Sequence, residues 1–363
     1  MGRAGRAIAK AYGVLLTGEE DEEIHTYFQE NAFPAEAHVL RILDLLQRGD
    51  GLTSRQLEQH MNLRSGQMEQ ALKFLSMEEP APVVRQGLLW TRTPLPYTLD
   101  RAHIQRLIHR REQEWAQVLA YVDHAGCRME FLQEALDDER HAPCGHCSNC
   151  LGKHFKAEMA SELIARAAAF LRHTEAPLKC PVQMPAGGLK VLDSKGNIPA
   201  EWRPEPGRIL SRWGDAGWGR LVAQHKHEGR FGDALVQATA EMITLRWNPE
   251  PAPQWVSCVP SLRHTELVPD FARRLASVLG LPFHPAIDKS RANEPQKVMQ
   301  NRHHQCANLD GAFAIRTPLP EGPVLLVDDV VDSGWTFAIL SAQLRQAGSG
   351  PVYPLALAST SHA

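Results

Sequence analysis

Between residues 39 and 75 apolar side chains recur at helical spacing, and each run stops at a glycine or a polar turn. In "AEAHVLRILDLLQRG" the inward positions are Val39, Leu43 and Leu46, and Gly49 ends the run. "GLTSRQLEQHM" opens on Thr53-x-x-Gln56, a capping box. "SGQMEQALKFLSM" places Met68, Ala71, Leu72 and Leu75 on one face. "PVVRQGLLWTR" then reads as two short strands turning near Gln86 and Gly87. Ile104, Ile108, Trp115, Val118, Leu119 and Val122 form a stripe along a longer helix. The period changes near the carboxyl end. Val324 to Val327 is a continuous apolar run, suited to a parallel strand covered on both faces. Two helical stripes flank it in sequence: Phe271, Leu275 and Leu279 before Gly280, and Phe337, Leu340 and Leu344 before Gly348.

Three helices followed by a hairpin predict a winged helix over residues 33–98. Its third helix offers Arg64, Gln67, Gln70 and Lys73 outward, and Arg85 and Arg92 flank the wing. These are candidate DNA contacts. Glu69, Glu78 and Glu79 lower the positive charge of that face.

Composition adds bounds. A chain of 363 residues holds two or three domains at roughly 100–200 residues each. With 43% hydrophobic and 22% charged residues it is an ordinary globular chain. No apolar run reaches the ~18 residues of a membrane span, and no charged-then-apolar leader is visible, so no membrane contact and a cytoplasmic, nucleoid-associated location are expected. A net charge of −3 leaves nucleic-acid binding to local basic patches.

The seven cysteines change the picture most, because three crowd into "CGHCSNC". Cys144-x-x-Cys147-x-x-Cys150 with Cys127 upstream supplies four thiolates for a tetrahedral zinc ion, at roughly 2.3 Å per bond. His146 is a competing ligand of lower rank. Arg106, Arg110, Arg111 and Arg128 give the same stretch a candidate phosphate-contacting face. Cys180, Cys258 and Cys306 read as small buried residues.

Two motifs carry resemblances. "CRMEFL" and "CGHCSNC" resemble the zinc module of RecQ helicases, and "GRAGRAIAKAYGVLLTGEED" resembles their last catalytic motif. The resemblance implies that Arg3 and Arg6 are arginine fingers; "AYGVLL" reads as a short apolar run suited to a buried strand, and "GEEDEEIHTYFQENAFP" as a helix with an acidic first turn, stopped by Pro34. No P-loop or acidic Walker B box is present; Cys147 stands where the first P-loop glycine would be. ATP binding and hydrolysis are therefore expected of a helicase core ahead of Met1, which would be this region's partner. Family members place the winged helix after the zinc; here it comes before.

"VLLVDDVVDSGWT" resembles the PRPP-binding motif of type I phosphoribosyltransferases. Carried over, Asp328 and Asp329 hold the ribose hydroxyls, with Mg2+ alongside. Asp332, Ser333, Gly334 and Thr336 cradle the 5′-phosphate, and Asp332 doubles as a candidate base. Trp335 departs from the family's small or Lys residue and is expected to narrow the pocket. Upstream, Ser261 and Arg263 fall on the pyrophosphate loop. "KSRANEPQKVMQNRHHQCANLDGAF" is similar to the mobile loop of ComF-type members, making Lys289, Arg291, Lys297 and Arg302 phosphate candidates. "RPEPGRILSRWGDAGWG" reads as a hood or strand insertion.

The expected fold is multidomain α/β plus α. Residues 1–32 end a RecA-like helicase domain, 33–98 form the winged helix and 99–157 the zinc-binding helical module. Residues 158–184 form a linker helix and 185–363 a phosphoribosyltransferase-like domain with a Rossmann-type parallel sheet. The leading function is the DNA-binding region of a RecQ-like ATP-dependent helicase, acting on single-stranded or forked DNA, with a PRPP- or nucleotide-binding domain. The alternatives are a phosphoribosyltransferase and a non-catalytic scaffold.

Overall fold

The computed structural model describes residues 12–18, 21–153, 159–185, 188–190, 192 and 196–360. The chain divides into two compact units: residues 1–54 with 66–157, and residues 55–65 with 158–363.

In the first unit, the run expected as a buried strand forms none. Residues 12–18 are irregular, and Tyr12 and Leu16 are 77% and 85% exposed. A strand needs neighbours to take its N–H and C=O groups, and among the described residues no other strand pairs with this one. Arg3 and Arg6 lie outside the described residues. Helix α1 (Asp21–Glu30) follows with Asp21, Glu22 and Glu23 in its first turn, where the helix dipole favours acids.

Helix α2 (Glu36–Gln47) buries Val39, Ile42, Leu43, Leu45 and Leu46. Helix α3 (Ser54–His60) falls almost wholly within the second unit. Helix α4 (Ser65–Met77) buries Met68, Ala71, Leu72 and Leu75, the stripe its spacing predicts. Strands β1 (Val83–Gln86) and β2 (Leu89–Arg92) pair antiparallel from Val83↔Arg92 to Gln86↔Leu89. Gly87 turns the hairpin with φ 63°. The wing arginines are spent locally: Arg92 donates to the carbonyls of Pro82, Thr93 and Leu95, and Arg85 stacks over Trp90 at 5.6 Å.

Helix α5 (Arg101–Asp123) is capped by Asp100, whose carboxylate accepts from the His103 N–H at 2.8 Å. Its apolar stripe is less buried than its spacing suggests, with Val118 and Leu119 about two-fifths exposed. Trp115 on this stripe stacks on His25 of α1, ring centroids 3.5 Å apart. Short helices α6 (Arg128–Ala135) and α7 (Ser148–Leu151) complete the unit.

The second unit is a sheet covered on both faces. Helix α8 (Ser161–Arg172) forms within the stretch read as a linker helix, and strand β3 (Ala176–Leu178) follows it. Strand β4 is Gly207–Arg212, β5 Trp255–Cys258, β8 Val324–Val331 and β9 Val352–Ser359; the short pair β6 (Ile287–Lys289) and β7 (Phe313–Ile315) lies apart. The sheet order is β3-β4-β9-β8-β5, parallel except for the edge strand β3. Pro177 is tolerated there because an edge strand leaves one N–H row unpaired.

Strand β3 falls inside the stretch read as a linker helix, so the sheet begins before residue 185. The stretch read as a hood or strand insertion supplies β4, a strand between β3 and β9. The middle of "RILSR", Ile209 to Ser211, is buried between its two arginines.

Alternation along β8 explains its unbroken apolar run. Val324 and Leu326 join the cluster of Phe337 and Leu340 from helix α13 (Trp335–Gln346). Leu325 and Val327 join Phe271 and Leu275 from helix α11 (Leu267–Leu279) on the other face. Helices α9 (Gly219–Glu228) and α10 (Asp233–Glu241) lie on that second face. Helix α12 (Arg302–Leu309) lies on the first. Asn301, at the start of α12, is buried, and its side-chain N–H groups reach the carbonyls of Glu58, Met61 and Leu63 at 2.9–3.1 Å. Two N–H protons shared among three carbonyls tie residues 58–63 to this unit.

Candidate zinc centre and ligand cavity

Four sulfur atoms converge in the first unit. The Sγ atoms of Cys127, Cys144, Cys147 and Cys150 all lie within 4.8 Å of one another, and those of Cys127 and Cys147 are 4.0 Å apart. A tetrahedral zinc with ~2.3 Å bonds needs edges of about 3.8 Å, so the cluster is close to coordinating geometry. Cys127 caps α6 and Cys147 caps α7. Backbone N–H groups point at sulfur throughout: Cys144 N–H at Cys127 (3.2 Å), Cys147 N–H at Cys144 (3.2 Å) and, as the α7 cap, Cys150 N–H at Cys147 (3.4 Å). The N–H of Cys150 draws the Cys147 thiol down to about 6, and the N–H of Cys144 lowers Cys127. Donating to Cys147 pushes the Cys150 thiol up to about 12. This donor set fits zinc, which binds thiolates and displaces their protons. His146 is exposed and stands outside the convergent set.

Arg128, expected to face phosphate, instead braces the loop. It donates to the Tyr121 carbonyl at 3.1 Å and to Asn149 Oδ1 at 3.2 Å. Asn149 in turn donates to the carbonyls of His124 and Gly126.

In the second unit, helices α11 and α13 leave the carboxyl ends of the adjacent strands β5 and β8 toward opposite faces. Such a divergence opens a crevice where α/β folds bind ligands. A cavity of about 760 Å³ lies there. Asp328, Asp329, Asp332, Ser333, Gly334 and Thr336 line one side, and Ser261 and Arg263 another. These eight candidates thus share one cavity, whereas the phosphate candidates Arg291 and Arg302 do not line it, and the Lys297 side chain lies outside the described residues.

The loop before α13 requires Gly334. Its φ is 74°, and a Cβ there would sit 3.2 Å from the Lys179 carbonyl. Trp335 is only 3% exposed and belongs to the core under the loop, so it supports the cavity floor more than it narrows the opening. Asp332 accepts from Thr360 Oγ1 at 3.3 Å. Ser261 Oγ accepts from the N–H groups of Arg263 and His264. Lys289 lines the cavity, and burial lowers its pKa. Arg291 is tied to the carbonyls of Asn308 and Asp310, and Arg302 is exposed.

Burial, and then the neighbouring Asp329, hold the Asp328 carboxyl well above its ordinary range. A carboxyl raised on folding stabilises the fold at low pH, and that contribution is lost as pH rises. Asp328→Asn is therefore expected to raise the melting temperature relative to wild type at pH 8. The gap should narrow toward pH 4 in paired thermal melts.

Lys226 was not among the expected site residues. It comes from the last turn of α9, yet its Nζ lies 2.7 Å from Asp329 Oδ2 inside the cavity. The segment "HKHEG" reads only as a basic helix end that complements the dipole.

Residues 98–151 match the RecQ zinc-binding family. The match covers α5, α6, α7 and the four cysteines, so the first unit carries a RecQ-type zinc-binding module. Among solved structures, an adenine phosphoribosyltransferase is 20% identical over 35% of this chain and 72% of its own, with a TM-score of 0.24. The adenine phosphoribosyltransferase of Leishmania tarentolae is 17% identical over 38% of this chain and 74% of its own, with a TM-score of 0.26. No curated protein matches the chain.

Within the RecQ-type module, Arg106 and Arg110 are exposed along α5, and Arg111 stands over Phe33 at 5.7 Å. Before it, Lys73 is exposed, whereas Gln67 and Gln70 bond to Asn31 and Ala32. Arg64 bonds to Gln300 at 2.9 Å within the second unit. The free cations of the first unit's candidate DNA face therefore shift from the expected recognition helix toward α5. No helix among the described residues is long and apolar enough to cross a membrane.

Proposed function

We propose that this chain is the C-terminal region of a RecQ-like ATP-dependent DNA helicase. Its zinc module and the helix–hairpin segment before it, read as a winged helix, bind single-stranded or forked DNA. The second unit binds PRPP or a nucleotide and couples that ligand to the helicase. The observation that carries the reading is the four-sulfur cluster inside the segment that matches the RecQ zinc-binding family. ATP hydrolysis would belong to a helicase core with Arg3 and Arg6 as its fingers.

Phosphate neutralisation by the α5 arginines makes a quantitative demand. Each displaced counterion contributes a log–log salt slope of about −0.9 on duplex and about −0.7 on single strands. Zinc-loaded protein on a forked oligonucleotide should lose affinity steeply with salt in gel shifts. An Arg106→Ala/Arg110→Ala variant should flatten the slope by about two contacts' worth, roughly 1.4 to 1.8. A flat response in the wild type would sink the DNA-binding reading.

A second reading, transfer of a phosphoribosyl group from PRPP to a base, is favoured by one observation. The acid pair, the phosphate loop and Asp332 all line one cavity. Release of pyrophosphate from PRPP in the presence of free bases distinguishes it from a purely ligand-sensing domain.

A further inference from the structure

The acid pair of the cavity is already occupied. Asp328 Oδ1 accepts from the Asp329 N–H at 2.8 Å, and Asp329 Oδ1 accepts from the Val330 N–H at 2.7 Å. Asp329 Oδ2 holds the Lys226 ammonium at 2.7 Å. Three of the four carboxylate oxygens thus carry a bond. The ion pair is sheltered: the Asp329 side chain is 14% exposed and that of Lys226 31%. A magnesium ion needs near-octahedral oxygen ligands at about 2.0–2.1 Å and gives up its own waters reluctantly. It cannot share Asp329 Oδ2 with an ammonium held there. As folded, the position beside Asp329 Oδ2 that a magnesium ion would take is held by the Lys226 ammonium.

We propose that Lys226 is a tethered cation that takes the place of a divalent metal beside Asp329, so that this cavity binds a phosphorylated ribose without magnesium. The lysine neutralises the acid that would otherwise repel a polyanionic ligand, and it holds the carboxylate in a fixed orientation toward the ribose hydroxyls. Its helix, α9, follows β4, so the cation arrives from a different strand than the acids and the phosphate loop. Arg263 and Lys289 also line the cavity and remain to meet the phosphates of the ligand. A charged group built into the wall costs no ordering of a free ion on binding. It also sets a specificity: the site accepts ligands whose phosphates reach Arg263 and Lys289 without a metal bridge.

The proposal rests on the reading of this unit as a PRPP or nucleotide site, and the test separates the two. PRPP is titrated calorimetrically into the full zinc-loaded chain, in metal-depleted buffer and again with millimolar MgCl2. The wild type should bind with affinities that agree within about threefold, since the Lys226 ammonium already stands beside Asp329 where the metal would. Lys226→Met should bind about tenfold or more weakly without magnesium, and added magnesium should restore most of the loss. Lys226→Arg should behave as the wild type. Should the methionine variant misfold by circular dichroism, Lys226→Gln replaces it with a polar side chain of similar reach. Wild-type binding that appears only with magnesium overturns the role of Lys226 and leaves the ligand site standing. Equal weakening of the variant in both buffers also overturns it, because a merely structural lysine would act that way. An absence of heat in both buffers for the wild type overturns the ligand site, and this proposal with it.

Discussion

Cys147→Ser is expected to abolish stoichiometric zinc and unfold the region from α5 to α7. Metal binding to such a module contributes on the order of 10 kcal/mol to folding, and little else here can replace it. Helices α5, α6 and α7 contain no fully buried residue, so the module lacks an apolar core of its own. Its order comes from the sulfur cluster and from the Arg128 and Asn149 bonds around it. Serine keeps the size of the side chain but offers no soft thiolate, so three sulfurs remain and the shell opens. Metal analysis of purified protein should fall from one zinc per chain to near none. Limited proteolysis should cut within residues 98–151, while the second unit resists. Cys180→Ser is the control: that thiol stands outside the cluster, and burial pushes it up to about 12, so zinc content should not change. Full zinc retention by Cys147→Ser would mean that the four sulfurs do not form the metal site.

Trp335→Ala should produce the largest loss of stability in the second unit, about 3–5 kcal/mol, the usual cost of deleting a large aromatic side chain from a core. The indole is 3% exposed and packs in the same cluster as Phe337 and Leu340. It is also the first residue of α13, directly after Gly334, so the cavity left behind lies under the proposed phosphate loop. Urea midpoints of the second unit should drop, and PRPP affinity should fall with them. Trp213→Ala provides contrast. That residue lines the same cavity but is 41% exposed, so its truncation should change the midpoint little. Comparable midpoints for the two variants would place Trp335 in the cavity opening, as its departure from the family pattern first suggested.

Much of this was legible in one dimension, for a physical reason. Local patterns that close on themselves survive without knowledge of the fold. Cys144, Cys147 and Cys150 are three apart, so a short turn brings their sulfurs together, and Cys127 lies one helix away. Asp328 to Thr336 form one strand end, one short loop and the start of α13, so their meeting at a cavity follows from the connection itself. The helical stripes of α2, α4 and α11 likewise needed only their own spacing.

Features that depend on distant partners were not legible. The apolar run at 11–16 has β character but finds no neighbour among the described residues, and a strand is defined by pairing. The stretch holding β4 reads as either a hood or a strand insertion, because its flanking arginines look like a surface segment; β9 supplies the hydrogen bonds that make it a strand, and both faces are covered.

The sequence by itself determined the four-cysteine cluster, the order of the helices and hairpin that precede it, and the acid pair with the loop that follows it. In each the chemistry lies within a few residues or one element. Only the tertiary structure decided which charges are free. Folding consumes Arg92, Arg128 and Arg291 on carbonyls, leaves Arg106 and Arg110 exposed, and delivers Lys226 from a helix about a hundred positions away to Asp329. A charge has no fixed partner along a chain, because Coulomb attraction depends on distance in space and on the solvent left between the groups.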